Sequence, residues 1–336
     1  MTLDVAALTP YLAKVCPPAG RPISAALIIG GRSNLTYEVT VGDRALVLRR
    51  PPLGHMKATA HDMRREARVI KALAGTAVPV PTVVAECDDP AVLGAPFYIM
   101  EKVAGRVYRT EKDLAEIAGP RAERAAHNLI DTLAELHSID PAAVGLGDFG
   151  RPEGYLGRQV NRWRGQVTGS EELQEFPGMT ALADGLLKVV PETGRAGIVH
   201  GDYRLDNAIL DAADPGRIRA VLDWEMATLG DPLADLGLFH IYWVGWERVG
   251  DGVAAAPGAV AGFPSWDTLA ERYTRKSGYA LDDLDFHIAL AYFKLAVILG
   301  GIHGRHKRGL TVGEGFDGIG EMVPVLVERG LAVLPV

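Results

Sequence analysis

The residues able to do chemistry concentrate in one stretch, Ile198-Val199-His200-Gly201-Asp202-Tyr203-Arg204-Leu205-Asp206-Asn207-Ala208-Ile209-Leu210: an apolar entry, a polar loop and an apolar exit. A second block, Val221-Leu222-Asp223-Trp224-Glu225, again ends an apolar run on a carboxylate. Asp202, Asn207 and Asp223 together supply hard oxygen ligands and one candidate base, the donor set of a magnesium–nucleotide site. Phosphoryl transfer to a hydroxyl needs a base for the attacking oxygen, metal on the nucleotide phosphates and cations on the transferring group. Asp202 can accept the hydroxyl proton, Asn207 and Asp223 can ligate Mg2+, and Arg204 lies in the same loop to meet developing negative charge. His200 is expected to brace the loop rather than react.

The elements that must position these groups follow from the rest of the chain. At 336 residues and 48% hydrophobic content the sequence can build two lobes, divided at Ala104-Gly105 into residues 1–103 and 104–336. A net charge of -7 argues against nonspecific nucleic-acid binding. Cys16 and Cys87 have no metal-ligand spacing and read as buried thiols in a reducing compartment. The start, Met1 to Pro10, lacks a basic segment followed by a sustained apolar core, so a cytoplasmic location is expected. Phe286 to Ile302 approaches membrane-span length but carries His287 and Lys294, and the expectation is a core helix and no membrane association.

In the first lobe, Ser24–Ile29, Leu35–Val41 and the run through Leu46 and Leu48 predict consecutive antiparallel strands. Gly30-Gly31-Arg32-Ser33-Asn34 between the first two is either an ordinary turn or a loop that covers phosphates with backbone N–H groups and the Ser33 hydroxyl. Arg49 and Arg50 close the third strand, and each alone suits a solvated surface as well as a phosphate. Helical spacing of Met63, Ala67, Ile70 and Leu73 predicts a helix over 61–74 whose Glu66 borders the buried stripe and needs a cationic partner, an arginine of the neighbouring strand being the obvious one. Pro96 to Val103 predicts a strand leaving the lobe.

In the second lobe, Arg121 to His137 carries an amphipathic helix pattern. Residues 148–173 look irregular, with Trp163 anchoring a local helix. The runs around 198–210 and Ile218–Trp224 predict a hairpin through the turn Asp214-Pro215-Gly216, with Asp202 and Asp223 near its mouth. Asp231, before Pro232, suits a helix cap, and Asp235 is placed to brace the nearby loop. Residues 250–264 predict an Ala/Gly-rich loop, and Gly300–Gly309 a glycine-rich basic loop holding Arg305, Lys307 and Arg308. Trp243 and Trp246 suit either core packing or the wall of an acceptor pocket.

With these residues in view, the sequence resembles the aminoglycoside phosphotransferase-like branch of the protein-kinase-like fold. His200-Gly201-Asp202 with Asn207 is similar to its catalytic loop, Asp223-Trp224-Glu225 to its metal-binding segment, and Gly230-Asp231-Pro232 through Asp235 to the segment that follows. The resemblance implies an α+β, bilobal protein-kinase-like fold, with a small antiparallel-sheet N-lobe holding one main helix and a larger, mostly helical C-lobe. It implies ATP or GTP as donor, Mg2+ as cofactor and a small-molecule hydroxyl as acceptor. It places Gly31, Ser33, Asn34, Arg49, Glu66, Glu101 and Val103 on the nucleotide, Asp202 and Arg204 in catalysis, and Asn207 and Asp223 on the metal. Arg49 departs from the lysine usual at its position, and guanidinium geometry differs from that of an ammonium.

Within that branch the sequence looks most like the kinase-like modules related to acyl-CoA dehydrogenase-associated proteins, which implies a hydroxy acid or its acyl-CoA ester as acceptor. The basic Gly300–Gly309 segment independently favours an anionic acceptor over a polycationic aminoglycoside. A nucleotide-binding regulatory module with little transfer activity, and a true aminoglycoside phosphotransferase, are the alternatives.

Overall fold

The computed structural model describes residues 3–17, 22–28, 34–52, 62–117, 119–192, 195–244, 256–310 and 318–335. The chain forms two units. One is Met1–Arg106 with Ala208–Ala212 and Ile218–Ala227; the other is Val107–Asn207 with Ala213–Arg217 and Thr228–Val336. The first division thus falls just after the boundary read from sequence, and the segment carrying Asp223 belongs with the N-terminal unit.

The first unit opens with α1 (Val5–Val15), capped by Asp4. A five-stranded antiparallel sheet follows, built from β1 (Ile23–Leu27), β2 (Leu35–Val41) and β3 (Arg44–Arg50), then, after α2 (Met63–Leu73), β4 (Val83–Cys87), the short α3 (Pro90–Leu93) and β5 (Phe97–Glu101). Its order is β1-β2-β3-β5-β4. Period-two alternation sorts the strands into two faces. Tyr37, Val39, Leu46, Leu48 and Ile99 pack with Leu8 and Leu12 of α1, while Arg49 points to the other face, where it meets Glu66 of α2. Neither arginine at the end of β3 is solvated as its type suggests. Arg50 is buried, donating to the Leu93 carbonyl at 2.9 Å and lying over the Tyr37 ring.

The hairpin of β7 (Ala208–Leu210) and β8 (Ile218–Val221), named after β6 (Gly197–Val199), completes this unit. It is stitched on by reciprocal hydrogen bonds between Arg106 and Leu210, and by Val221 N–H to the Pro79 carbonyl at 2.8 Å. The predicted hairpin is therefore real for 208–210, but 197–199 pairs elsewhere. The returning strand also stops at Val221, because Asp223 adopts a left-handed conformation (φ 66°, ψ 59°) that no strand accommodates.

In the second unit, α4 (Glu111–Ala115), α5 (Pro120–Ser138), α6 (Tyr155–Thr168), α7 (Glu171–Gln174) and α8 (Met179–Lys188) precede β6; β9 (Thr228–Gly230), α9 (Leu233–Val244), α10 (Trp266–Ser277), α11 (Leu284–Lys307) and α12 (Ile319–Val333) follow the hairpin. The expected apolar stripe of α5, Ala125, Leu129, Leu133 and Leu136, is fully buried. Two expectations are corrected. Residues 148–173 are largely the regular helix α6 and the short α7: Leu156, Val160, Trp163 and Val167 keep helical spacing beneath a mostly polar surface. Residues 300–307 are helical, and only 308–310 lie beyond α11, because Gly300 and Gly304 let that helix pass close to Leu173, Phe176 and Glu172. Its last-turn cations suit a helix C-terminus, and Arg308 pairs with Glu172 at 2.7 Å. Of the predicted loop at 250–264, residues 250–255 lie outside the described residues, and Pro257–Ala259 form one 3-10 turn.

By length and composition α11 is apolar enough to cross a membrane, but 72% of its most apolar window is buried inside the protein, as in a core helix. It packs so tightly on α9 that a Cβ at Gly237 would fall 2.6 Å from the His287 carbonyl. Helix propensity alone says that Gly237→Ala stabilises by about 1 kcal/mol. The obstacle is backbone, which cannot rotate away, so overpacking of roughly 1–3 kcal/mol should win. Denaturant unfolding should show a lower midpoint for Gly237→Ala; a raised midpoint would contradict this packing.

Candidate functional site

In the first unit the site is an ionic cluster around Arg49. Strand register places Arg49 opposite Tyr98, and its guanidinium forks to Glu66 Oε1 at 2.9 Å and Asp223 Oδ1 at 3.0 Å, with Glu225 Oε2 at 3.8 Å. The partner foreseen for Glu66 is thus the one observed. Asn34, buried at the start of β2, donates through Nδ2 to Glu225 Oε2 at 2.8 Å. Burial pushes the Glu66 carboxyl up to about 6, against the opposing pull of Arg49. Burial also disfavours the Arg49 charge, but Glu66 and then Tyr98 and Asp223 more than offset it, so the guanidinium stays above its ordinary range.

Asp223 is the one non-glycine among the described residues with positive φ. Left-handed backbone at a residue with a side chain is strained and clusters at functional sites. Here the turn aims its carboxylate at Arg49 and leaves it about one-third exposed. One guanidinium among three carboxylates leaves excess negative charge, which suits a cation. No group of three or more His, Cys, Asp or Glu among the described residues could hold a metal alone. Magnesium is commonly held by one or two carboxylates together with water and substrate phosphates, so this donor set fits that ion.

Glu101 and Val103 sit at the exit of β5. Glu101 pairs with Arg44 at 2.5 Å, at the opposite end of β3 from Arg49, and Val103 is half-buried. Gly31 and Ser33 lie outside the described residues, as does Trp246.

In the second unit the site is the loop after β6. β6 pairs with β9, Ile198 opposite Leu229, and Asp231 caps the following turn by accepting from Leu233 N–H at 3.0 Å. That turn delivers Asp235, fully buried, beneath the loop. Its Oδ2 accepts the His200 N–H at 2.6 Å, its Oδ1 accepts the Gly201 N–H at 2.7 Å, and His137 Nε2 lies 3.2 Å from Oδ2. Burial alone would raise its carboxyl, yet the hydrogen bond and charge of His137, then His200, hold it below the usual carboxylate range. Asp235 therefore braces the loop as its position in the sequence suggested. His200 is a brace too: its Nδ1 accepts the Asp202 N–H at 3.2 Å.

Asn207 donates through Nδ2 to the Asp202 carbonyl at 2.9 Å and to Asp202 Oδ2 at 3.0 Å, which leaves its own Oδ1 as the oxygen able to ligate a cation. Arg204 folds back on the loop, with Nε 3.0 Å from Asp206 and 3.5 Å from Asp202, and its guanidinium 4.7 Å above the Tyr242 ring. Tyr242 hydrogen-bonds Asp202; burial and that carboxylate hold its phenol far above the usual range, so it remains a donor. Beside them is a cavity lined by Tyr108, Arg109, Arg204, Phe239, Trp243 and Pro257, among others. Trp243 is both buried in the core and part of this wall.

The structure thus gathers Arg49, Glu66, Asn34 and Asp223 in one cluster, and Asp202, Arg204 and Asn207 in another. Four participants escaped the sequence reading: Glu225, Asp206, Tyr242 and Lys294. Lys294 had a signal, since it is a cation in the most apolar stretch of the chain; its ammonium, partly buried, donates to the Gly201 carbonyl at 2.6 Å.

A family model described as the phosphotransferase enzyme family matches residues 24–272. Acyl-CoA dehydrogenase family member 11 of Gallus gallus is 36% identical over 339 residues, covering 98% of this chain and 43% of that protein. The chain spans less than half the length of the curated relatives it matches. A crystal structure of a provisionally named aminoglycoside phosphotransferase from Ralstonia eutropha is 33% identical, covers 99% of this chain and 98% of that one, and superposes with a TM-score of 0.84. The GDP complex of aminoglycoside 2'-phosphotransferase-IIIa, at 18% identity over 98% of this chain and 99% of that one, shares the fold with a TM-score of 0.64.

Glu66 gives the cluster a pH signature. Its carboxyl rises from 4.5 to about 6 on folding, so between those values the folded state binds the extra proton. The stability it lends is complete below pH 4.5 and lost as pH rises through about 6, on the order of 2 kcal/mol. Urea unfolding at both ends of that window should show wild type losing this amount relative to Glu66→Gln. Parallel pH profiles would contradict the assignment.

Proposed function

Because the chain belongs to the phosphotransferase enzyme family, we propose that it moves the γ-phosphoryl group of a nucleoside triphosphate, ATP or GTP, onto the hydroxyl of a small anionic molecule, a hydroxy acid or its acyl-CoA ester. The observation that carries this reading is the Asp202 carboxylate, fixed by Asn207 and Tyr242 on a loop anchored to Asp235. A carboxylate held in this way can take the acceptor proton as the hydroxyl oxygen forms its bond to phosphorus. The bond to the bridging oxygen breaks, and the nucleoside diphosphate leaves. Asn207 and Asp223 are the residues that would hold Mg2+, which neutralises phosphate charge when bound. Arg49 in place of lysine still presents fixed positive charge, with a planar fork instead of a point charge.

The cavity beside the loop supports the acceptor class. Arg109 and Arg204 line it with a single carboxylate, Asp206, which pairs with Arg204, and with an apolar wall of Phe239, Trp243 and Pro257; this net positive, part-apolar lining suits an acid with a carbon chain better than a polycationic aminoglycoside. The basic end of α11 has a sufficient structural role in its own helix terminus and the Glu172 pair. A regulatory, non-transferring reading has one observation in its favour: Arg49 engages the Asp223 carboxylate.

Nucleotide with Mg2+ and a panel of hydroxy acids, their CoA esters and aminoglycosides should give acceptor-dependent diphosphate release with members of the first two classes. Asp202→Asn should lower kcat by roughly 10²–10⁴ with little change in nucleotide KM. Tight nucleotide binding without turnover on any acceptor would favour the regulatory reading. Arg109→Met should raise acceptor KM more than nucleotide KM, whereas neutralising Arg305, Lys307 and Arg308 together should leave both unchanged. The opposite pattern would move the acceptor to the end of α11.

A further inference from the structure

Gly201 is the weak point of the catalytic loop. Its φ of 87° is open to glycine at little cost, but the same freedom leaves the peptide that joins it to Asp202 undetermined by its own sterics. That peptide plane sets the direction in which Asp202 leaves the backbone. Asp235 holds the peptide before Gly201 through the Gly201 N–H. It has no grip on the one after. There the N–H of Asp202 reaches His200 Nδ1 at 3.2 Å, and the carbonyl of Gly201 accepts from Lys294 Nζ at 2.6 Å.

Lys294 stands on α11 among Leu290, Ala291, Leu295 and Val297, all buried. A partly buried ammonium carries a desolvation cost in a helix that any apolar residue would complete more cheaply. Asp202 and Asp235 are the carboxylates whose fields favour its charge, while Arg162 opposes it. A charge-assisted donor is also the strongest clamp available for a carbonyl. We infer that Lys294 is a positioning residue: its ammonium, by holding the Gly201 carbonyl, locks the Gly201–Asp202 peptide and so fixes the orientation of the Asp202 carboxylate. The kinetic consequence rests on the phosphotransferase reading; the ordering of the loop does not.

A cavity lined by Tyr155, Gln159, Trp163, His287 and Lys294 adjoins the ammonium, so the competing role is direct contact with a ligand there. Lys294→Met keeps the length and removes the donor; Lys294→Arg keeps the charge. In the full chain, the Met variant should bind nucleotide as wild type does and lose about 100-fold in kcat, the scale of a misplaced catalytic group. Its acceptor KM should stay within about threefold, and the Arg variant should recover most of the rate. Independently of turnover, hydrogen exchange over residues 198–207 should quicken by about tenfold in the Met variant, while α11 stays protected. Lys294→Gln, polar but too short to reach the carbonyl, should follow the same pattern and serves should the Met variant not fold. Unchanged exchange, or unchanged kcat in a turning-over enzyme, overturns the proposal, and a loss confined to acceptor KM makes Lys294 a ligand contact. If no acceptor supports turnover even in wild type, the phosphotransferase reading has failed, and the exchange result alone decides the lysine.

Discussion

The second unit depends on one buried carboxylate. Asp235 has no solvent exposure, yet it carries three partners: the consecutive N–H groups of His200 and Gly201, and the imidazole of His137. His137 is tied in turn to the Tyr273 hydroxyl at 2.7 Å. A buried charge without such partners would cost several kcal/mol and would not stay ionised. Fully satisfied, it joins α5, α9 and α10 to the end of β6, and the polar loop inherits their rigidity. Asp202 then needs only short-range fixing, by Asn207, Tyr242 and its own peptide plane. The fold thus places the stiff, costly ion in the interior and the chemically available carboxylate on the residue that follows the backbone it holds.

In the first unit the equivalent constraint is the fork of Arg49. A lysine offers one point of charge, whereas a guanidinium can satisfy Glu66 and Asp223 at the same time with separate nitrogens. That geometry accounts for two features otherwise unrelated. Glu66 can be buried on the inner face of α2, and Asp223 can hold a left-handed backbone whose strain the ion pair and the Trp224 indole bond to the Val221 carbonyl offset. An arginine at this position therefore holds two carboxylates at once, which the single ammonium of a lysine would not do with the same fixed geometry.

Much of this was legible in the sequence, for reasons that can be named. The loop at 198–210 stands out because charged residues interrupt two apolar runs, and the stripe of α2 exposed Glu66 as a carboxylate in need of a cation. Asp231 and Asp235 were legible from Pro232, which fixes a helix start. What failed did so where composition outvoted periodicity. The glycines of 300–304 read as loop because their role, close approach to α7, exists only once another helix is there. Residues 148–173 read as irregular except for a local helix at Trp163, which the structure shows as part of α6, because arginine and glutamine mask its clean four-residue stripe. Tyr242 and Lys294 lie far from the loop in sequence, and no local pattern announces which group of the loop such a side chain will meet. Asp223 could not be read as left-handed, since nothing in its type requires it.

If Asp235 acts only by holding the loop that presents Asp202, the two residues form one functional unit. The direct test is a double-mutant cycle on kcat with Asp235→Asn and Asp202→Asn, measured on folded protein at saturating nucleotide and acceptor. Asp235→Asn should slow the wild-type enzyme but add almost nothing once Asp202 is already gone. Additive losses, with Asp235→Asn slowing the Asp202→Asn enzyme as much as it slows wild type, would show that the buried carboxylate works by some other route.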